Sequence, residues 1–115
     1  MSKQVIVITP EGSITQMEMG KDGQSEYDFL NKTVAGWIQA VDLDGTLAGF
    51  TIWVNEEGKM SGLPYNDLAT LLWEISYGQT DIMVGTAVIT GNADEEGDTL
   101  GLTPEQASKI FTLIG

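Results

Sequence analysis

Residues 81–91 constrain the fold more than any other part of the chain. They read Asp-Ile-Met-Val-Gly-Thr-Ala-Val-Ile-Thr-Gly. In an extended strand, Ile82, Val84, Thr86, Val88 and Thr90 face one way, and Met83, Gly85, Ala87 and Ile89 the other. Neither face is polar enough to lie against water. A strand that is apolar on both faces belongs in the middle of a sheet, so this segment is expected at the centre.

Its partners are legible upstream. Residues 4–9 are β-branched and end at Pro10, which predicts a first strand. Glu11-Gly12 makes a turn, and residues 13–19 alternate Ile14, Gln16 and Glu18 against Thr15, Met17 and Met19, a second strand. After a polar loop from Gly20 to Gly23, Ser25 opens a helix as its cap, with Asp28 at the capping-box position. Tyr27, Leu30 and Val34 follow at near-helical spacing, and Gly36 is the expected stop. Residues 37–43 and 47–54 predict a hairpin closed by Asp44-Gly45, a two-residue turn signal. In its second strand Phe50, Ile52 and Val54 share one face, and Thr51, Trp53 and Asn55 share the other, more polar one.

Two helices complete the set. Over residues 66–77, Leu68, Leu71, Leu72 and Ile75 form an apolar stripe, and Gly78 is the stop. Residues 92–101 are acidic and glycine-containing. Thr103-Pro104-Glu105-Gln106 then starts the last helix, with Thr103 as cap, Pro104 at the first helical position and Gln106 reaching back. Its buried stripe is Ala107, Ile110, Phe111 and Ile114. The sum is one compact α+β domain over residues 1–115, with about five mostly antiparallel strands and about three helices.

Composition bounds the chemistry. A chain of 115 residues with 42% apolar side chains can bury a core without disulfides or metal. It contains no cysteine and no histidine, which excludes disulfides, thiol nucleophiles, thiolate zinc sites and imidazole bases. Net charge is −12, from 17 acidic and 5 basic side chains. The bases are Lys3, Lys21, Lys32, Lys59 and Lys109, with no arginine. Such a surface repels nucleic acid and anionic membranes, attracts basic proteins, and favours solubility. The apolar run Val5 to Ile8 is too short for a signal peptide or a membrane span, so a soluble cytoplasmic protein is expected.

Most motif-like segments fail on inspection. Asn92 to Asp98 resembles half a calcium loop, but Thr103 stands where a bidentate glutamate is required. Asp42-Leu43-Asp44-Gly45 fails sooner, because Leu47 occupies the required glycine position. Glu18, Glu56, Glu57, Asp67 and Glu74 show no defined pairing for acid–base work, and no phosphate-binding glycine motif is present. No catalytic residue, metal site or cofactor is therefore expected.

The favoured segment is 55–66, Asn-Glu-Glu-Gly-Lys-Met-Ser-Gly-Leu-Pro-Tyr-Asn, which leaves a strand and enters a helix. Loops of that kind often hold ligands, the helix amides near Asn66 can face an anion, and Trp53 could stack on a planar ring. The candidate ligand-binding set is Trp53, Asn55, Glu56, Glu57, Lys59, Tyr65 and Asn66. Equally, Gly58, Gly62 and Pro64 could only shape a tight connection, with Asn55 and Asn66 satisfying backbone groups.

Several blocks together carry a family resemblance. They are Val5-Ile6-Val7-Ile8-Thr9-Pro10-Glu11-Gly12, Val34-Ala35-Gly36-Trp37-Ile38-Gln39, Asn55-Glu56-Glu57-Gly58, Leu63-Pro64-Tyr65-Asn66 and Gly85-Thr86-Ala87-Val88-Ile89-Thr90-Gly91. In this order the chain resembles the domain of unknown function numbered 3846. The resemblance implies a protein of bacteriophages and mobile elements, with no established catalytic residues. Members often carry an arginine after the asparagine of the Leu-Pro-x-Asn block, where this chain has Asp67. By analogy the expected role is a non-catalytic binding module that counters host defence by sequestering a small nucleotide-like immune signal. The alternative is an acidic decoy that mimics DNA and occupies a basic host protein. Trp73 and Tyr77, four residues apart on one helix flank, predict a contact between copies in a homo-oligomer.

Overall fold

The β-branched run Val5 to Ile8 builds β1 (Lys3–Ile8), which pairs with β2 (Ile14–Met19) from Lys3 opposite Met19 to Ile8 opposite Ile14. The structure, a computed structural model, describes residues 3–115. Helix α1 (Glu26–Val34) begins where the Ser25 hydroxyl accepts the Asp28 amide at 3.0 Å. Strands β3 (Ile38–Asp42) and β4 (Phe50–Asn55) form the second hairpin. Helix α2 (Asp67–Tyr77), strand β5 (Ala87–Gly91) and helix α3 (Pro104–Ile114) complete the chain. The expected capping box of α3 is present: Thr103 accepts the Gln106 amide at 3.1 Å, and Gln106 accepts the Thr103 amide at 3.0 Å.

The sheet order is β2-β1-β5-β4-β3, with every neighbour antiparallel. β5 lies between the two hairpins, pairing Val88 with Val7 of β1 and Ile89 with Ile52 of β4. This is the central place that its two apolar faces require. On one face Ile6, Ile8, Ile52 and Ile89 meet Leu72 of α2 and Ile110 of α3, all with 0% exposure. On the other, Val5, Val7 and Val88 meet Phe29, Leu30 and Val34 of α1. Each such buried aliphatic side chain contributes about 1.5–3 kcal/mol. The radius of gyration, 13.0 Å, is that of a single compact domain of this length.

The structure departs from the sequence reading in four places. The β3–β4 connection is not a two-residue turn at Asp44-Gly45. It runs through residues 43–49 and contains a 3-10 turn at Gly45–Leu47. Leu43 and Leu47 are the reason: both fold into the core, Leu47 completely, and a two-residue loop would leave them in water. α3 holds the connection in place, with Gln106 Nε2 donating to Gly49 O at 3.3 Å and Lys109 donating to Thr46 O.

Second, the 81–91 segment is not one continuous strand. Gly85 takes a positive φ of 73°, and the residues before it leave the ladder to bridge Val84 to Tyr65. The positive φ favours glycine, and a Cβ at position 85 would in addition lie 2.8 Å from Leu63 Cδ1 and displace that side chain. Third, the left-handed residue that ends α1 is Ala35 (φ 62°), one residue before the expected Gly36. Fourth, Leu71 and Phe111 sit at the margins of their helices' buried stripes and are part-exposed, at 38% and 36%, while Ala69 takes an inner place on α2.

Candidate binding cleft

The loop from β4 to α2 divides into residues that hold the fold and residues that face solvent. Asn66 belongs to the first group. It is completely buried, and its Nδ2 donates to Ile8 O at 3.0 Å and Gly85 O at 2.8 Å, while its Oδ1 caps α2 through the Ala69 amide at 3.1 Å. No hydrogen-bonding edge is left for a ligand. Asn55 is similarly engaged: Nδ2 donates to Val34 O and Ala35 O, each at 3.2 Å, and Oδ1 accepts the Glu57 amide at 2.8 Å. That fastens the end of α1 to the end of β4. It also explains Gly36, where a Cβ would come within 2.5 Å of Asn55 Nδ2.

Trp53 is directed to the opposite side of the sheet. Its ring packs on the α1 core cluster, and its Nε1 donates to Thr90 Oγ1 at 2.8 Å. Tyr65 is about half exposed and bridges Val84 through its backbone, and Glu57 is exposed. Neither lines a cavity with Glu56 and Lys59.

A cleft of about 340 Å³ does open next to the loop, on the α2 face of the sheet. Strand alternation supplies its floor. Gln39 and Val41 of β3 share a face with Val54 of β4, Gln39 standing directly opposite Val54, and Glu56 follows on the same side. Trp73 of α2 forms one wall, and residues 81–84 form another. Met60, 87% exposed, stands at the mouth. The lining mixes an apolar base of Val41, Val54 and Met83 with polar groups from Gln39, Glu56, Lys59 and Asp81.

The charges around this cleft are unequal. Lys59 is joined to Asp81 by an ion-paired hydrogen bond. That bond, with the Ile82 amide donating at 2.8 Å, holds the Asp81 carboxyl below the ordinary carboxylate range. Glu56 has no ion-pair partner among the described residues. The cleft therefore offers one uncompensated carboxylate and one neutralised lysine, together with an indole wall. Such a set recognises ring-bearing or basic groups better than polyanions.

Of the candidate set only Asn55, Glu56 and Lys59 line the cleft, and most of its lining, Gln39, Val41 and Asp81 included, lies outside that set. Gln39 and Val41 become readable only when the β3–β4 register is known, and Asp81 had no local signal at all. Trp73 was conspicuous, but as an oligomer contact. Its Nε1 donates to Thr80 Oγ1 at 2.9 Å, and its ring lies 4.6 Å from that of Tyr77. The Tyr77 hydroxyl donates to Asp42 O. The polar atoms of this aromatic flank are thus engaged within the chain.

The Asn92–Asp98 segment closes as a turn on itself: Asp94 Oδ1 accepts the Glu96 amide at 2.9 Å and the Asp98 amide at 3.0 Å. Among the described residues no group of three or more acidic side chains is gathered as a metal site.

The pattern of one family, described as a domain of unknown function (DUF3846), matches residues 1–115. The chain belongs to the DUF3846 family. No curated protein and no solved structure matches the chain. In this DUF3846 domain the Asn55 block and the Leu63-Pro64-Tyr65-Asn66 block have structural work in common: each asparagine ties separate elements together through backbone groups. Among the described residues, no helix of the DUF3846 domain is long and apolar enough to cross a membrane.

Proposed function

We propose that this DUF3846 domain is a non-catalytic binding module of phage or mobile-element type, which sequesters a small nucleotide-like immune signal of the host in its cleft. The observation that carries the reading is the cleft itself, formed where the candidate loop meets the sheet. Its volume of about 340 Å³ lies within the range of small-molecule sites and suits a nucleoside-sized group. Trp73 can stack on a planar ring, while Gln39 and Glu56 can hydrogen-bond its polar edge or a ribose. The chain has no arginine, and Lys59 is already paired with Asp81, so the favoured ligand carries few phosphates. The reading puts its action in the cytoplasm of the infected bacterial cell.

The test is to incubate the protein with an extract containing activated immune signals, remove it, and release any bound ligand by heat. Intact ligand recovered from the wild type and lost with Trp73→Ala supports sequestration. A cleaved product identifies an enzyme instead, and no retained ligand ends the proposal.

A specific observation favours the acidic-decoy reading as the second. Two acidic clusters, distant in sequence, meet at one end of the sheet. Thr51 Oγ1 is within 2.7 Å of Asp42 Oδ1 and 2.8 Å of Asn92 Oδ1, and the Asn92 amide donates to Gly49 O at 3.1 Å. Asp42 and Asp44 therefore stand beside the turn bearing Asp94, Glu95, Glu96 and Asp98. A basic host protein captured from lysate at low salt and released at high salt would support this reading. Capture of none at low salt would remove it.

A further inference from the structure

β3 is an outer strand of the sheet, and its open edge runs beside the cleft. Two backbone bonds fix which residues turn outward. Leu43 N donates to Phe50 O at 2.9 Å, and Glu56 N donates to Trp37 O at 2.7 Å. With the antiparallel register of Ile38 opposite Asn55, the peptide groups of Gln39 and Val41 point to β4. Those of Ile38, Ala40 and Asp42 point away from the sheet. The Tyr77 hydroxyl covers the Asp42 carbonyl. Ile38 and Ala40 each present an N–H and a C=O with no partner among the described residues.

Natural edge strands are usually protected by charge, proline or a bulge. The sequence Ile-Gln-Ala-Val-Asp has no such device before its last residue, and Ala40 is small and exposed. Between Tyr77 at the Asp42 end and Trp37 at the other, a strand could pair with the outward groups of Ile38 and Ala40, which no described side chain bonds. Side chains of an added strand alternate between faces, so every second one would lie on the α2 side, next to Gln39 and Val41, over the cleft. There a long basic side chain would lay its methylenes on Val41 and Val54 and bring its cation to Glu56 and the Trp73 ring.

We propose that an extended basic segment of another protein adds to the sheet along β3 at Ile38 and Ala40 and places a lysine or arginine side chain in the cleft. Charge complementarity selects this occupant. Glu56 has no ion-pair partner among the described residues, Lys59 is neutralised by Asp81, Asp42 ends the strand, and Asp44 and Glu57 lie near its two ends. A second copy would bring another net charge of −12 to the same edge. The proposal goes beyond the small-ligand reading and gives the acidic-decoy reading a docking mode, in which main-chain bonds hold the segment and the cleft selects its basic side chain.

The probe is an acetylated, amidated heptapeptide alternating arginine with valine and threonine, titrated into the isotopically labelled full chain. Binding is expected to shift the amide signals of Ile38 and Ala40 and to slow their hydrogen exchange. A proline at the central position of the peptide should weaken binding about tenfold or more, because one ladder donor is lost. Glu56→Gln should weaken it about threefold to tenfold. Ala40→Pro removes an outward N–H and should abolish the effect of peptide on Ile38, with an unchanged circular dichroism spectrum showing that the fold survives. Equal binding of the proline peptide, or binding that leaves the Ile38 and Ala40 amides untouched, overturns the proposal. So does a dimer mass by light scattering with those two amides protected in the absence of peptide, since the occupant would then be a second copy. Small-ligand retention from extracts is measured separately on Ala40→Pro, whose side-chain cleft is intact. Loss of peptide binding alone leaves the small-ligand reading standing.

Discussion

Asn66 shows how a residue suited to ligand recognition can be used up by the fold. Its amide joins β1, the segment before β5 and the start of α2, and every group of the side chain has an internal partner. Replacing it with aspartate puts an acceptor against two carbonyl oxygens. Asn66→Asp is expected to lower stability by about 2–4 kcal/mol, as read by urea denaturation, because the buried acceptors Ile8 O and Gly85 O lose their donor. A loss below about 0.5 kcal/mol, the size of an ordinary surface change, would show that the network carries little. Asp81 makes a pH-dependent prediction. Its carboxyl titrates below the usual 3.8 in the folded chain, mainly through Lys59 and then the Ile82 amide. The stabilisation is thus present above that value and declines as pH falls through the lower folded midpoint. A carbon-detected NMR titration should find the depressed midpoint, and Lys59→Met should bring it back most of the way towards 3.8.

Elements, rather than single residues, decided where the sequence could be read. Both the α3 capping box and the Ser25 cap of α1 are local, so they are visible in a few consecutive letters. The central position of β5 was legible because apolar residues on both faces leave no other place for it. The β3–β4 connection was not, because its shape depends on burial of Leu47 beneath helices far along the chain. The same cause hid part of the cleft: Gln39 and Val41 join it only through the register that this connection sets. If the connection is organised by Leu47, then Leu47→Ala should cost about 2–5 kcal/mol, and Gly45→Ala, at φ 59°, only about 1–2 kcal/mol. Thermal denaturation of the two variants checks the order, and the reverse order would restore Gly45 as the controlling turn residue. The end of α1 offers a second comparison. Ala35→Gly should stabilise by about 0.5–1 kcal/mol by relieving a left-handed alanine. Gly36→Ala should destabilise by about 1–3 kcal/mol by pressing on Asn55. Equal effects of the two in chemical denaturation would contradict the close approach described for position 36.

For the molecule as a whole, the net charge of −12 acts on a compact body only 13.0 Å in radius of gyration. The described residues contain two ion pairs, Lys3–Glu26 and Lys59–Asp81, which offset little of it. Screening should therefore stabilise the folded state. Raising sodium chloride from about 20 to about 300 mM is expected to lift the melting temperature by several degrees. A flat or falling curve would mean that the acidic groups are already balanced within the structure. The position of β5 has a different consequence, for the order in which the molecule can come into being. Both hairpins leave the ribosome before β5 does, and until it arrives each has a raw inner edge and half a core. The two halves of the sheet, β2-β1 and β4-β3, are joined as one ladder by the strand made last among the five. A nascent chain stalled before residue 87 would thus carry two ribbons with unpaired inner edges, open to pairing with other chains. Synthesis of one five-residue strand joins the ribbons into a single sheet, which α3 then covers.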